Sequence, residues 1–127
     1  MTIEKYLITG YSGFVSQHFL NFLESSKEKS IVLGVDINSP DFDITCYKST
    51  KLLFEKLDLL DKDAVNNLIY NFQPDYILHL ASYSSVAYSW KNPLPAFVNN
   101  TNIFLNLVEQ VRMLESGSQW TAATIFY

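Results

Sequence analysis

Cysteine is almost missing from this chain. Cys46 is the only one in 127 residues, so no disulfide can form within it. That fits a reducing cytosol, and a cytoplasmic location is the expectation. Positive charge is also scarce: 9 Lys and Arg stand against 13 Asp and Glu, for a formal charge of −4. No basic cluster occurs, which speaks against nucleic acid or an anionic membrane as partner. No apolar run approaches the ~20 residues of a membrane-spanning helix. The first dozen residues lack the charged and then apolar order of a secretory signal. His18 and His79 have no carboxylate or second histidine placed to share a metal, so no metal site is expected. Internal repeats and low-complexity segments are absent too.

What is present suits one domain. Apolar residues make up 48% and aromatics 15%, enough to bury a core at this length. Tyr6 to Thr9 reads as a strand bounded by Gly10. After Gly13, Val15, Phe19, Phe22 and Leu23 fall at helical spacing and predict one apolar face. The polar run from Glu24 to Ser30 ends that helix. Ile31 to Val35 is a near-continuous apolar run, as in a parallel strand covered on both sides. A loop around Pro40 follows, then a weaker strand at Leu52 to Leu57. Asp61 can cap a helix with Val65, Leu68, Ile69 and Phe72 on its apolar face. Tyr76 to Ala81 reads as a strand. Pro93 and Pro95 open a long helix with Phe97, Phe104, Leu107, Val108 and Val111 on one side. Gly117 breaks it, and Thr121 to Tyr127 is a candidate last strand.

Strands alternating with helices imply an α/β fold. The expectation is a Rossmann-type parallel sheet of about five strands with helices on both faces, incomplete as it stands. Ligands on such sheets sit at the carboxyl ends of the strands, where Gly10, Asp36, Asp58 and Ala81 all fall.

The segment Gly10-Tyr11-Ser12-Gly13-Phe14-Val15 follows a strand and opens a helix. Gly10 permits the tight turn, and Gly13 lets the backbone approach a pyrophosphate. The third position of a G-x-x-G-x-x-G pattern is Ser16, whose hydroxyl could bond back to a carbonyl one turn earlier. Asp36 ends the second strand at about the ~20-residue interval expected of a ribose-binding acid. Its carboxylate can accept both adenosine ribose hydroxyls and would repel a 2′-phosphate, which favours NAD over NADP. Ile37 stands beside it. The plainer alternative makes Gly10 and Gly13 ordinary turn glycines and Asp36 a solvated loop acid.

Taken together, these segments resemble the extended short-chain dehydrogenases, in particular the NAD-dependent nucleotide-sugar epimerases and dehydratases. The resemblance rests on Thr9-Gly10-Tyr11-Ser12-Gly13-Phe14, Val35-Asp36 and Leu57-Asp58-Leu59. It continues through Pro74-Asp75-Tyr76-Ile77-Leu78-His79-Leu80-Ala81, and through Asn92-Pro93 followed by Asn99-Asn100. It implies that Asp58 and Leu59 border the adenine ring; a helix-capping or solvated acid is the alternative for Asp58. It implies that Leu80, Ala81 and Ser82 run along the cofactor riboses, and that Asn100 lies near the active-site floor. For Asn100 a local hydrogen bond on the helix is the alternative. Where the family usually has Gly-Thr, this chain has Ile103-Phe104. His79, in an apolar strand, reads as a core histidine.

The resemblance also implies a Tyr-x-x-x-Lys pair, in which lysine and the cofactor's positive ring lower the tyrosine pKa. Tyr47 and Lys51 have that spacing but lie between the second and third strands, away from the nicotinamide end. Tyr88 and Lys91 are spaced wrongly. No catalytic residue is therefore assigned. Residues 1–127 read as the N-terminal NAD-binding portion of a longer enzyme, without its substrate lobe and inactive alone. The expected partners are a nucleotide-sugar substrate in the full-length enzyme and further copies of the same chain. A noncatalytic dinucleotide-binding or degenerate module is the alternative, and a structural protein that has lost the ligand is a third.

Overall fold

A computed structural model describes residues 3–26, 28–43, 47–81, 90–117 and 124–126. Strand β1 (Glu4–Thr9) leads into helix α1 (Phe14–Ser26), then β2 (Ser30–Asp36) and β3 (Thr50–Lys56). Helix α2 (Lys62–Phe72), β4 (Tyr76–His79), α3 (Pro93–Gly117) and β5 (Thr124–Phe126) follow. The sheet has five strands in the order β3-β2-β1-β4-β5, and every pairing is parallel. This is the expected doubly wound arrangement, with β1 at the centre where the strand order reverses. Strand β4 stops at His79, two residues before the expected Ala81.

Two apolar layers sandwich the sheet because neighbouring strand residues point to opposite faces. Leu7 and Ile77 pack with Val65, Ile69, Ile103 and Leu107, which puts α2 and α3 on one face. Ile8 and Val32 pack with Leu20 and Leu23, which puts α1 on the other. Asp61 caps α2 as expected, accepting the Ala64 N–H at 3.2 Å.

Two helical faces differ from the sequence reading. On α1 the buried residues are Ser16, Leu20 and Leu23, while Val15 and Phe22 are exposed. On α3, Ala96, Ile103, Asn106, Leu107, Gln110 and Val111 are buried, and Phe97 is 68% exposed. Hydrophobicity alone set the expected stripes. The observed ones include small and polar residues wherever the helix comes close to the sheet or an adjoining loop.

Ser16 is fully buried and its Oγ has no hydrogen-bond partner among the described residues, so the expected bond to a carbonyl one turn earlier is not made. The Tyr11 hydroxyl is likewise buried and unpartnered. Burial pushes the Tyr11 phenol far above its ordinary pKa. An unsatisfied buried polar group is destabilising, so Ser16→Ala and Tyr11→Phe are each expected to raise stability by about 1 kcal/mol. Urea unfolding of the two variants checks this. A loss of stability in either would mean that its hydroxyl has a partner.

Candidate functional site

The residues after the strand ends enclose a cleft of about 380 Å³. Its walls come from the β1–α1 turn, the end of β2, the segment Leu57 to Leu60, the segment Leu80–Ala81, and α3. Each wall is held by specific contacts. Gly10 adopts a left-handed φ of 68°. A methyl group placed on it would lie 2.8 Å from the Leu80 carbonyl carbon and 2.9 Å from the Ala81 nitrogen. Glycine is thus required twice, for the turn and for the close approach of the two walls. Gly13 donates its N–H to the Gly10 carbonyl at 3.1 Å, which tightens the loop.

Helix α1 begins immediately beyond this turn. Gln17 N–H donates to the Gly13 carbonyl at 3.3 Å. The N–H groups of Phe14, Val15 and Ser16 find no acceptor among the described residues. Unsatisfied donors at a helix N-terminus, with the positive end of the helix dipole, favour an anion.

Across the cleft, Asp36 ties the loop to the end of β2. Its Oδ2 accepts the Ser12 N–H at 3.0 Å and its Oδ1 accepts the Asn38 N–H at 3.2 Å. Ser12 Oγ donates to the Asn38 carbonyl at 2.8 Å. A carboxylate offers about four acceptor sites, so each oxygen of Asp36 keeps one for a ligand hydroxyl. Asp58 uses Oδ1 to accept the Leu60 N–H at 3.0 Å, which shapes the adjoining wall.

Of the residues singled out in the sequence, Gly10, Gly13, Asp36, Ile37, Asp58, Leu59, Leu80 and Ala81 come together on this cleft. Tyr11 does not line it: its ring is in the core against Phe42 and Phe54, and only its N–H works locally, donating to Val35. Ser12 contributes through Asp36. Phe14 and Val15 have exposed side chains and are not among the residues that line the cleft. Ser82 lies outside the described residues. From α3 the cleft takes Asn99 and not Asn100, because neighbours on a helix point about 100° apart.

One contributor to the cleft and one anchor outside it escaped sequence reasoning. Buried Asn106 donates from Nδ2 to the Leu59 carbonyl at 2.9 Å and fixes one cleft wall from α3. The signal was an asparagine inside an apolar stripe. At the opposite end of the sheet, Glu24 accepts the N–H groups of Lys48, Ser49 and Thr50 at 2.6–3.0 Å. Tyr47 there donates its hydroxyl to Asn21 Oδ1 at 2.6 Å. Because Thr50 begins β3, the Tyr47 and Lys51 pair sits at the end of the strands remote from the cleft.

His79 and Glu24 both contribute to an acid-side pH dependence of the fold. Burial lowers the His79 pKa below its ordinary 6.5. The backbone N–H groups, that of Ser49 first and then that of Lys48, lower the Glu24 pKa below its ordinary 4.5. In both cases the unfolded chain binds the proton more readily, so stability is full above the unfolded pKa and falls as pH drops toward the folded one. The unfolding midpoint is therefore expected to fall in two stages, the first below about pH 6.5 and the second below about pH 4.5. His79→Asn should flatten the first stage and Glu24→Gln the second. A profile unchanged by His79→Asn would remove that residue from the first stage.

No group of three or more His, Cys, Asp and Glu that could hold a metal occurs among the described residues. None of their helices is long and apolar enough to cross a membrane.

The family model described as GDP-mannose 4,6 dehydratase matches residues 7–127. A UDP-glucose 4-epimerase of Mycoplasma genitalium is 32% identical over 108 residues, covering 85% of this chain and 32% of that protein. Among solved structures, the UDP-Glc/GlcNAc 4-epimerase of Campylobacter jejuni superposes with a TM-score of 0.72 at 29% identity. That match covers 87% of this chain and 34% of the other. A Thermus thermophilus UDP-glucose 4-epimerase in complex with NAD gives a TM-score of 0.64 at 27% identity, over 86% of this chain and 34% of that one. The chain thus spans about a third of the length of these relatives.

Proposed function

The chain belongs to the GDP-mannose 4,6 dehydratase family, and from that premise we propose that it is the NAD-holding part of a nucleotide-sugar epimerase or 4,6-dehydratase. The observation that carries the reading is that Asp36 shares one cleft with Gly10 and Gly13, the turn that leads into the open end of α1. Both ends of a dinucleotide's adenosine diphosphate half find partners there. The N–H groups at the open end of α1, those of Phe14 and Val15, would take the pyrophosphate. The free acceptor sites of Asp36 would take the ribose hydroxyls, and Asp58 and Leu59 would border the adenine.

No Lys or Arg lines the cleft among the described residues, so none of these would balance a 2′-phosphate. That supports NAD over NADP. When bound, NAD supplies a hydride acceptor that can oxidise a sugar hydroxyl and later return the hydride. This chain's own residues bind and orient the cofactor. The base that removes the hydroxyl proton and the sugar-binding lobe would belong to the rest of the enzyme. Exposed Trp90, Leu94 and Phe97 near the start of α3 support assembly with further copies of the chain. The cytoplasm is the proposed setting.

Calorimetric titration of the chain with NAD and with NADP tests the reading. NAD should bind the more tightly. Asp36→Ala should weaken NAD by about 10–100-fold, the size expected for hydrogen bonds to a charged group. NADP should lose far less, because the same change removes a repulsion. Equal losses for both cofactors would confine Asp36 to holding Ser12 and Asn38.

A further inference from the structure

Thr9 is the last residue of β1, directly before Gly10, and it is fully buried. Its Oγ1 lies 3.0 Å from the Leu80 nitrogen, 3.1 Å from the Ala81 nitrogen and 2.7 Å from His79 Nδ1. A hydroxyl has one hydrogen and two acceptor sites. The two backbone N–H groups can only donate, so they occupy both acceptor sites. The single hydroxyl hydrogen must then go to His79. That requires Nδ1 to be the bare nitrogen and puts the ring proton on Nε2. A ring protonated at Nδ1 would leave two donors facing each other. The imidazole is held in place by the Phe104 ring of α3, with centroids 5.7 Å apart.

The three contacts meet at the cleft wall. Leu80 N–H also reaches the Thr9 carbonyl at 3.2 Å. Ala81 N–H has no other acceptor among the described residues, so the Thr9 hydroxyl alone orders it. The same Leu80–Ala81 backbone is what a Gly10 side chain would strike.

We propose that Thr9 and His79 are a positioning pair, in which a neutral imidazole protonated at Nε2 orients the Thr9 hydroxyl to hold the Leu80–Ala81 wall against Gly10. Neither side chain need touch the ligand. The pair acts by fixing the gap between two backbones that a dinucleotide would bridge. Its consequence for binding rests on the NAD reading above, whereas its geometry does not.

The test therefore has two independent arms. In the first, without ligand, ¹⁵N NMR reads the His79 ring and amide exchange reads Leu80 and Ala81. The expected result is a bare, pyridine-type Nδ1 and a protonated Nε2. Thr9→Val should speed exchange at Ala81 by about tenfold, a loss of roughly one hydrogen bond. Exchange at Leu7 and Val32 in the core should stay unchanged relative to global stability. Thr9→Ser, which keeps the hydroxyl, should restore protection. In the second arm, NAD affinity should fall about tenfold in Thr9→Val and in His79→Leu. It should recover in Thr9→Ser and in His79→Asn, whose side-chain oxygen replaces Nδ1 as acceptor.

A protonated Nδ1 in the wild-type chain would overturn the proposal. So would Ala81 exchange that does not respond to Thr9→Val, or a serine variant no better than the valine. If the wild-type chain failed to bind NAD while the first arm gave the expected signature, the cofactor reading would fall and the positioning pair would stand.

Discussion

Replacing Gly34 with alanine is expected to lower folding stability by about 3–5 kcal/mol, the range for losing a large aromatic from a core. Gly34 lies in the middle of β2, paired with Ile8 on one side and Phe54 on the other. A Cβ built there falls 2.0 Å from Tyr11 Cγ and 2.1 Å from Cδ1. Those are root atoms of the ring, so a small swing of its far end does not relieve the clash. Tyr11 is fully buried, with its ring centroid 5.8 Å from that of Phe54 and 5.5 Å from that of Phe42. The ring must leave this stack, and the core loses its burial. A domain with ordinary stability of about 5–15 kcal/mol would lose a large share of it. Urea unfolding measures the loss. The same substitution made in a Tyr11→Ala background should cost less than about 1 kcal/mol, since the obstruction is gone. A Gly34→Ala variant as stable as wild type would show that Tyr11 has another place to go.

The second large effect belongs to Gly10. Alanine at φ 68° is strained by about 1–2 kcal/mol. Its methyl group would meet backbone, the Leu80 carbonyl carbon and the Ala81 nitrogen, and neither can rotate away. Relief requires the loop and the opposite wall to separate. Overpacking of this kind adds about 1–3 kcal/mol, and the separation falls where the proposed cofactor would bridge the two. NAD affinity is expected to drop by about 100-fold or more. Gly13→Ala is the control, because its methyl group would meet only the Gly10 carbonyl oxygen at 3.2 Å. It should weaken NAD several-fold less. Similar losses in the two variants would mean that the loop alone matters, and that its contact with Leu80–Ala81 does not.

Several features could be read directly from the residues. Short β-rich runs separated by helical patterns marked each strand to within a few residues, since buried parallel strands leave near-continuous apolar segments. The cap at Asp61 was visible because its signal is local. The gathering of Gly10, Asp36, Asp58 and Ala81 on one edge followed from the fold class, since a parallel sheet brings all its strand C-termini together.

Other features depend on partners distant in sequence. Nothing near Tyr11 shows that its ring fills the space above Gly34, since 22 residues lie between them and only the β1–β2 register unites them. The same holds for Thr9 and His79, which face each other because β1 pairs with β4. On α1 and α3 the expected stripes were right at Leu23, Leu107 and Val111 and wrong at Val15, Phe22 and Phe97, because the strongest apolar pattern need not face the sheet throughout. Close packing selects small Ser16 and Ala96, and a carbonyl that needs a donor selects Asn106.

By itself, then, the sequence determined the alternation of strands and helices, the glycine turn, and the acid that ends the second strand. Each depends on backbone geometry or on periodicity within one short segment. The tertiary structure alone decided the full set of buried residues on α1 and α3, that Asn99 and not Asn100 reaches the cleft, and how the Thr9 hydroxyl is engaged. Those outcomes depend on contacts between strands and helices far apart in the chain, where close packing and hydrogen-bond satisfaction act together.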